Sequence, residues 1–250
     1  MSWRIGTSGW SFDDPSSVVF RKGVRSGERL AAYARVFDTV EINTTFYRVP
    51  TAAMVEKWRA TAPEDFRFAV KLWRGVTHEK GLIDCSAEIE AFLTAAEGLG
   101  DKRGPLLVQL PPSLKLDVEL LGAFLSNVRA AESGVGWDVA VEFRHWTWLR
   151  PEVWALLDRF GAAAVLSDLP VCRVEEPNAS ALVYVRLHGS RPPYKGAYSV
   201  GALDELADRV GGWNESGRRV FVFFNNTMDG SAPADAIGLR DRLMARGEAK

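Results

Sequence analysis

The chain has 250 residues, 47% hydrophobic and 25% charged, with 31 Lys and Arg against 32 Asp and Glu. That composition belongs to a globular protein large enough to bury a core without staples, and a net charge of −1 excludes a global basic field for nucleic acid or an anionic membrane. No apolar run reaches the roughly 18 residues of a spanning helix and "MSWRIGTSGW" lacks a signal-peptide run, so a cytoplasmic location without a membrane partner is expected.

In chain order, short β-branched and aromatic runs alternate with patterns of helical period. Strands are expected at Trp3–Thr7, Thr39–Asn43, Arg67–Trp73, Leu106–Leu110, Val139–Phe143, Ala163–Asp168, Leu182–His188 and Val220–Asn225. Helices are expected between them at Glu28–Val36, at Thr51–Ala60 with Thr51 as N-cap, and at Ser86–Leu99 with Ser86 as the capping serine. Asp117–Ala131 and Pro151–Phe160 follow, then Gly201–Trp213 and Ala232–Arg246. The sixth connection, "LPVCRVEEPNAS", is short and contains prolines, so its helix is expected to be short or missing. Eight strands alternating with about seven helices point to a (β/α)8 TIM barrel of mixed α/β class, one domain over residues 1–250. The Gly-rich dinucleotide fingerprint of an open doubly wound sheet is absent after strand one.

Alternation assigns faces to the strands. Val40 and Ile42, Phe68 and Val70, Val108 and Leu110, Val139 and Val141, Val183 and Val185, and Val222 and Phe224 face the helices. The opposite parity points inward: Glu41 and Asn43, Lys71 and Trp73, Gln109, Glu142 and Arg144, Tyr184, Arg186 and His188, and Asn225. These polar groups gather at strand C-termini, the end where barrels of this kind build sites. Charges placed inside a barrel must be paired. Two readings remain open: an ion network that fixes register, or a cluster arranged for acid–base chemistry.

Glu41 and Glu142 are candidate acid–base residues, with Lys71 and Arg186 stabilising negative charge and His188 beside them. The carboxylates are expected to raise the pKa of Lys71, which favours an electrostatic role over an amine nucleophile. Ser8, Asn43, Tyr47, Trp73, Gln109, Arg144, His145, Asp168, Tyr194, Lys195, Asn225 and Asn226 are candidate substrate-binding residues. Trp10, Trp73, Trp146 and Trp148 follow strands and are placed to wall a pocket. The loops after strands seven and eight offer Lys195, with Arg186 and the backbone near Gly230 and Ser231, as an anion seat at a helix N-terminus. No cofactor is expected. A divalent metal is the open alternative, with Glu142, Asp168 and His188 as its ligands, though no H-x-x-x-H spacing occurs. Cys85 and Cys172 lie far apart and suit neither a disulfide framework nor a metal site.

The motifs "IGTSGWSF", "VEINTTFYRVP", "FAVKLWRGVTHEK", "LVQLPPSLKLD", "VEFRHWTWL", "YVRLHGS" and "FVFFNNTMDGSAPADA" occur in order from Ile5 to Ala236. Together they resemble the YecE-like proteins, domain-of-unknown-function family 72. The chain departs from the family at "SFDDPSSVVF", where an aromatic usually follows the Asp pair. The resemblance implies a TIM barrel and names no reaction. A looser analogy of fold joins such barrels to metal-dependent apurinic-endonuclease and xylose-isomerase-like enzymes, but Asn225 and Lys71 stand where carboxylate ligands would help.

The reading favoured by the residues is a hydrolase, lyase or isomerase acting on a small anionic substrate, a phosphate ester or carboxylate. Two alternatives stand beside it. One is a metal-dependent phosphodiesterase on nucleic acid, with Arg144, Arg191 and Lys195 on phosphates. The other is a ligand-binding protein without turnover.

Overall fold

Residues 2–15, 17–191 and 194–248 are described by a computed structural model. Pro192 and Pro193 of the seventh connection, and residues 1, 249 and 250 of the expected domain, lie outside the described residues. The strands are β1 (Trp3–Thr7), β2 (Thr39–Ile42), β3 (Arg67–Lys71), β4 (Arg103–Gln109), β5 (Val139–Glu142), β6 (Ala163–Ser167), β7 (Leu182–Leu187) and β8 (Arg219–Phe224). The helices are α1 (Arg29–Tyr33), α2 (Thr44–Tyr47), α3 (Ala52–Thr61), α4 (Ser86–Glu97), α5 (Val118–Ala130), α6 (Pro151–Arg159), α7 (Val200–Glu215) and α8 (Ala232–Glu248). All pairings are parallel, in the order β1-β8-β7-β6-β5-β4-β3-β2. The fold is the expected TIM barrel. No helix of the described residues is long and apolar enough to cross a membrane.

Strand parity sorts the core into two layers. Val40, Ile42, Val70, Val108, Val141, Val185 and Val222 belong to the large cluster between barrel and helices. The opposite parity forms a second cluster inside the barrel. There β3, β5 and β6 contribute Ala69, Ala140 and Ala163, while β7 and β8 contribute Tyr184, Phe221 and Phe223. Small residues on one wall leave room for aromatic rings from the other, as close packing requires.

Caps set several helix starts. Thr51 accepts from the Met54 N–H at 3.3 Å, Asp117 from Leu120 at 2.9 Å and Ser199 from Ala202 at 3.2 Å. Ser86 does not cap α4: Cys85 holds the N-cap position without a side-chain hydrogen bond. β4 begins three residues earlier than expected because Gly104 and Pro105 hide its alternation. In the sixth connection a 3-10 turn at Pro170–Cys172 replaces the helix, and Val174 pairs back onto Ser167.

Closure depends on the seam between β1 and β2. β1 pairs along its length with β8, from Trp3 opposite Val220 to Thr7 opposite Phe224. Towards β2 it has only a bridge between Ser8 and Glu41, with the Gly9 N–H donating to the Glu41 carbonyl at 2.8 Å. The buried Tyr33 hydroxyl fills the gap. It accepts from the Thr7 N–H at 2.8 Å and donates to the Thr39 carbonyl at 3.0 Å. Gly6 allows the approach, since a Cβ there would stand 2.3 Å from the Thr39 oxygen. Burial pushes the Tyr33 pKa upward, so the hydroxyl keeps its proton for this link. Tyr33→Phe should therefore leave the Thr7 N–H buried without an acceptor and destabilise the fold by about 1–3 kcal/mol. A urea midpoint equal to that of the wild type would show that the seam closes without the hydroxyl.

Candidate functional site

Arg186 on β7 is almost wholly buried, with 1% exposure. Its Nε and Nη2 donate to the two Glu41 oxygens at 2.9 and 2.7 Å, and its Nη1 donates to Glu142 Oε2 at 2.7 Å. Glu41 also accepts from Ser8 Oγ and the Tyr184 hydroxyl, each at 2.7 Å. Burial works to raise both carboxyl pKa values, but the Arg186 charge and these hydrogen bonds outweigh it. Glu41 is held below its ordinary range and Glu142 well below it. The ion-network reading therefore describes this triad, which ties β2, β5 and β7 together. Glu41 and Glu142, expected as acid–base residues, are both fully buried and bound to the Arg186 guanidinium. Ser8 and Tyr184 hold Glu41 rather than facing a ligand.

Above the triad, at the strand C-termini, lies a cavity of about 250 Å³. Asn43, Lys71, Gln109, Arg144, Arg186 and Asn225 line it from the strand ends, Tyr47 from α2 and Tyr194 from the seventh loop. Sequence reasoning singled out all of these as site candidates; Thr227, noted only as part of the eighth connection, also lines it, and Phe46 and Met228 were missed. Phe46 had a signal: it lies in "NTTFY", directly after an inward-facing strand end. The Thr45 hydroxyl lies 2.8 Å from the Ile42 carbonyl and 2.7 Å from that of Lys71. It fastens α2 to β3 and sets the Phe46 ring 4.0 Å from Lys71 Nζ.

Among the described residues, Lys71 Nζ has no ion-pair or hydrogen-bond partner; its one polar contact is the Phe46 ring face. Burial, aided by Arg186, pulls its pKa down to about 7, while Glu142 and Glu41 pull weakly the other way. The carboxylates do pull the pKa upward as expected, but burial and Arg186 outweigh them, so the net direction is the opposite of the expected one. The carboxylates are bound to guanidiniums, and the Phe46 ring offers an ammonium only about 1–2 kcal/mol, against several for its desolvation. After β3 the chain makes a π-helical turn at Gly75–Glu79, absent from the expected elements. It stacks His78 edge-on against Phe46 at 4.9 Å. Burial and the Lys71 charge lower the His78 pKa to about 4, so this ring is neutral near pH 7.

Arg144 leaves β5 at the rim. Its Nη2 lies 3.0 Å from Glu142 Oε1, an ion pair without hydrogen-bond alignment, and donates to Gln109 at 3.3 Å. Its Nη1 donates to the Tyr194 hydroxyl at 3.3 Å, while its buried Nε has no partner. Asn43 Oδ1 is likewise buried without one. Two carboxylates and two guanidiniums cancel, so protonated Lys71 gives the cavity a net positive charge and neutral Lys71 leaves it without one.

His188 sits between the triad and Asp168. Its Nδ1–H donates to Asp168 at 2.9 Å, and its Nε2 lies 3.4 Å from Glu142 Oε1. Asp168 also takes the Tyr198 hydroxyl and the His188 N–H. Asp168 and Glu142 thus stand on opposite edges of one imidazole and cannot ligate one ion with it. The metal set Glu142, Asp168 and His188 does not converge. No group of three His, Cys, Asp or Glu fit to hold a metal exists among the described residues.

Several expected ligand contacts are engaged elsewhere. Trp73 packs over Gly75, where an added Cβ would meet its ring at 2.5 Å. His145 caps the turn at Trp146–Trp148 through Thr147. Trp148 is buried beneath Phe143, Trp10 packs on Trp58, and Trp146 stacks on His145. Lys195 is exposed and pairs through its backbone with Arg191. Asn226 donates to Gly196 and Asp235, tying the seventh loop to α8. The start of α8 is no open anion seat: Asp229 accepts from the Gly196 and Ser231 N–H groups there.

A family model described as "Protein of unknown function DUF72" matches residues 4–250. UPF0759 protein YunF of Bacillus subtilis (strain 168) is 26% identical over 262 residues, covering 91% of this chain and 90% of that protein. UPF0759 protein YecE of Escherichia coli (strain K12) is 33% identical over 142 residues, covering 56% of this chain and 48% of that protein. A crystal structure of a DUF72 family protein from Thermotoga maritima superimposes with a TM-score of 0.84 at 28% identity, covering 98% of this chain and all of that one (100%). D-psicose 3-epimerase, at TM-score 0.54 and 12% identity over 98% of each chain, shares the fold alone.

Two outcomes follow from the charges. Arg186→Met leaves Glu41 and Glu142 buried without their cation and should cost about 3–5 kcal/mol in a urea titration; a smaller loss would mean that other groups carry the carboxylates. Lys71→Met should stabilise the fold. Unfolded Lys71 titrates near 10.5 and folded Lys71 near 7, so across that window the unfolded chain holds the extra proton and stability rises with pH. The gain from Lys71→Met should be about 1–4 kcal/mol at pH 7 or below and vanish towards pH 10.5. A pH-independent gain in melting temperature would contradict the lowered pKa.

Proposed function

The chain belongs to the DUF72 family, whose description assigns no reaction, and we propose from its site that it is an enzyme acting on a small anionic substrate with Lys71 as the acid–base group. The observation that carries this reading is the buried Lys71 amine, in the cavity floor beside two guanidiniums and free of any carboxylate partner. A lysine with a pKa near 7 is populated in both forms at neutral pH, the condition under which one group best gives and takes a proton. Arg144 is the anchor for the anion. It is only partly buried, lines the cavity and keeps an unpartnered Nε. Arg186, bound to Glu41 and Glu142, fixes the floor behind it.

The cavity volume of about 250 Å³ lies just below the roughly 300–1,000 Å³ of drug-sized sites, which favours a metabolite-sized ligand. With Lys71 protonated the cavity carries net positive charge, so a bound anion and the proton on Lys71 stabilise each other. Once the anion is seated, deprotonating Lys71 gives a base in a dry, charged enclosure where electrostatic effects are strong. The nucleic-acid reading has less support, because the expected phosphate-binding Lys195 stands outside the cavity and the metal set does not converge.

The test is a thermal-shift screen of small carboxylates and phosphate esters, followed by turnover assays on the compounds that stabilise the protein. Lys71→Met should lower kcat by about 100-fold or more while remaining folded, and Arg144→Gln should chiefly raise KM. The wild-type rate should show a limb with a midpoint near pH 7. Full activity in Lys71→Met would overturn the assignment.

A further inference from the structure

We propose that Lys71 is a covalent nucleophile that forms an imine with the carbonyl carbon of a small oxo acid, whose carboxylate is held by Arg144. This inference rests on the anion-site reading above and names its substrate class. An amine available as a base is equally available as a nucleophile. Lys71 Nζ has no hydrogen-bonding partner among the described residues: its contact is an aromatic face at 4.0 Å, and the amine opens on the cavity. An unbonded amine on a buried stem is arranged to attack an electrophile.

Two residues lining the same cavity each keep a buried polar atom without a hydrogen-bond partner. Arg144 Nε is a buried donor without an acceptor, and Asn43 Oδ1 is a buried acceptor without a donor. A carboxylate satisfies the first. The second suits the hydroxyl that appears on the substrate carbon when an amine adds to a carbonyl. Buried groups left unpaired in the free protein and paired in the complex are what discriminate a ligand.

The step balances without a further reactant. The neutral Lys71 amine adds to the carbonyl carbon, forming the C–N bond while the C=O π pair moves to oxygen. A proton passes from nitrogen to that oxygen to give the carbinolamine, whose hydroxyl donates to Asn43 Oδ1. With one proton from solvent it leaves as water, and the nitrogen lone pair forms the C=N bond of an iminium. Glu41 and Glu142, which act on Lys71 through space, and the Phe46 ring face then stabilise a cation that stays charged. The lowered Lys71 pKa supports the step, since a substantial share of the amine is neutral at pH 7.

The experiment incubates the full chain with pyruvate, glyoxylate or 2-oxobutyrate and cyanoborohydride, then maps adducts by mass spectrometry. We expect reductive labelling of Lys71 at least about tenfold above any exposed lysine, with a rate that rises through pH 7. Lys71→Met should lose this adduct, and Arg144→Gln should slow it by about tenfold, the loss of one charge-assisted contact. Labelling confined to exposed lysines overturns the proposal. A parallel measurement with lactate and inorganic phosphate, which have no carbonyl, separates the two readings. Stabilisation by either that is lost in Arg144→Gln, with Lys71 unlabelled, removes the imine and leaves the acid–base reading standing. No labelling and no anion binding would remove both.

Discussion

The Arg186 guanidinium, held from two sides by Glu41 and Glu142, is the constraint on which the rest of this barrel depends. Three charges at this depth are stable because the Arg186 guanidinium hydrogen-bonds both Glu41 oxygens and one of Glu142, so the strands that carry them cannot slide by a residue without orphaning an ion. The triad therefore fixes the relative height of β2, β5 and β7. It also decides what remains for chemistry. Two carboxylates that read as acid–base residues in a linear sequence are consumed in holding the floor, and the lysine beside them is left without a counterion.

Much of the architecture was legible in the residues. The alternation of Val139, Val141 and Phe143 against Glu142 and Arg144 assigned faces correctly because a barrel strand packs against helices on one side only. The same parity brought Asn43, Lys71, Gln109, Arg144, Arg186 and Asn225 to one cavity. The motif resemblance and the family match agree on the fold. What the residues did not disclose were pairings. No one-dimensional pattern tells which of two carboxylates a guanidinium will take, and the direction of the Lys71 pKa follows from that choice. Strand-following tryptophans look like pocket walls until a neighbouring glycine, such as Gly75 beneath Trp73, shows where the ring lies. The π-helical turn at Gly75–Glu79 has no signature in periodicity, because it adds one residue to a single turn.

The site is a division of labour between elements of unequal rigidity. Lys71 and Arg186 project from strands whose neighbours hold them on both sides. Phe46 and Tyr194 come from a short helix and a loop, and Tyr194 adopts a positive φ of 55°, uncommon for a residue with a Cβ. The charged floor is thus set by the sheet, while the aromatic rim is set by local turns that tolerate change more easily.

The seam at Tyr33 has a consequence for the birth of the molecule. Of the eight barrel strands β1 leaves a ribosome first, yet its ladder partner β8 leaves last, with Ser8 N–H donating to the Phe224 carbonyl at 2.9 Å. Until more than 200 intervening residues have been made (Ser8 to Phe224), β1 has only a tyrosine hydroxyl and one bridge to rest against. Such long-range pairing is slow and exposes strand edges while it waits. Closure of the ring therefore waits for β8, which also brings the wall that carries Phe221 and Phe223. Between the emergence of Thr7 and that of Phe224 the β8-facing edge of β1 stays open.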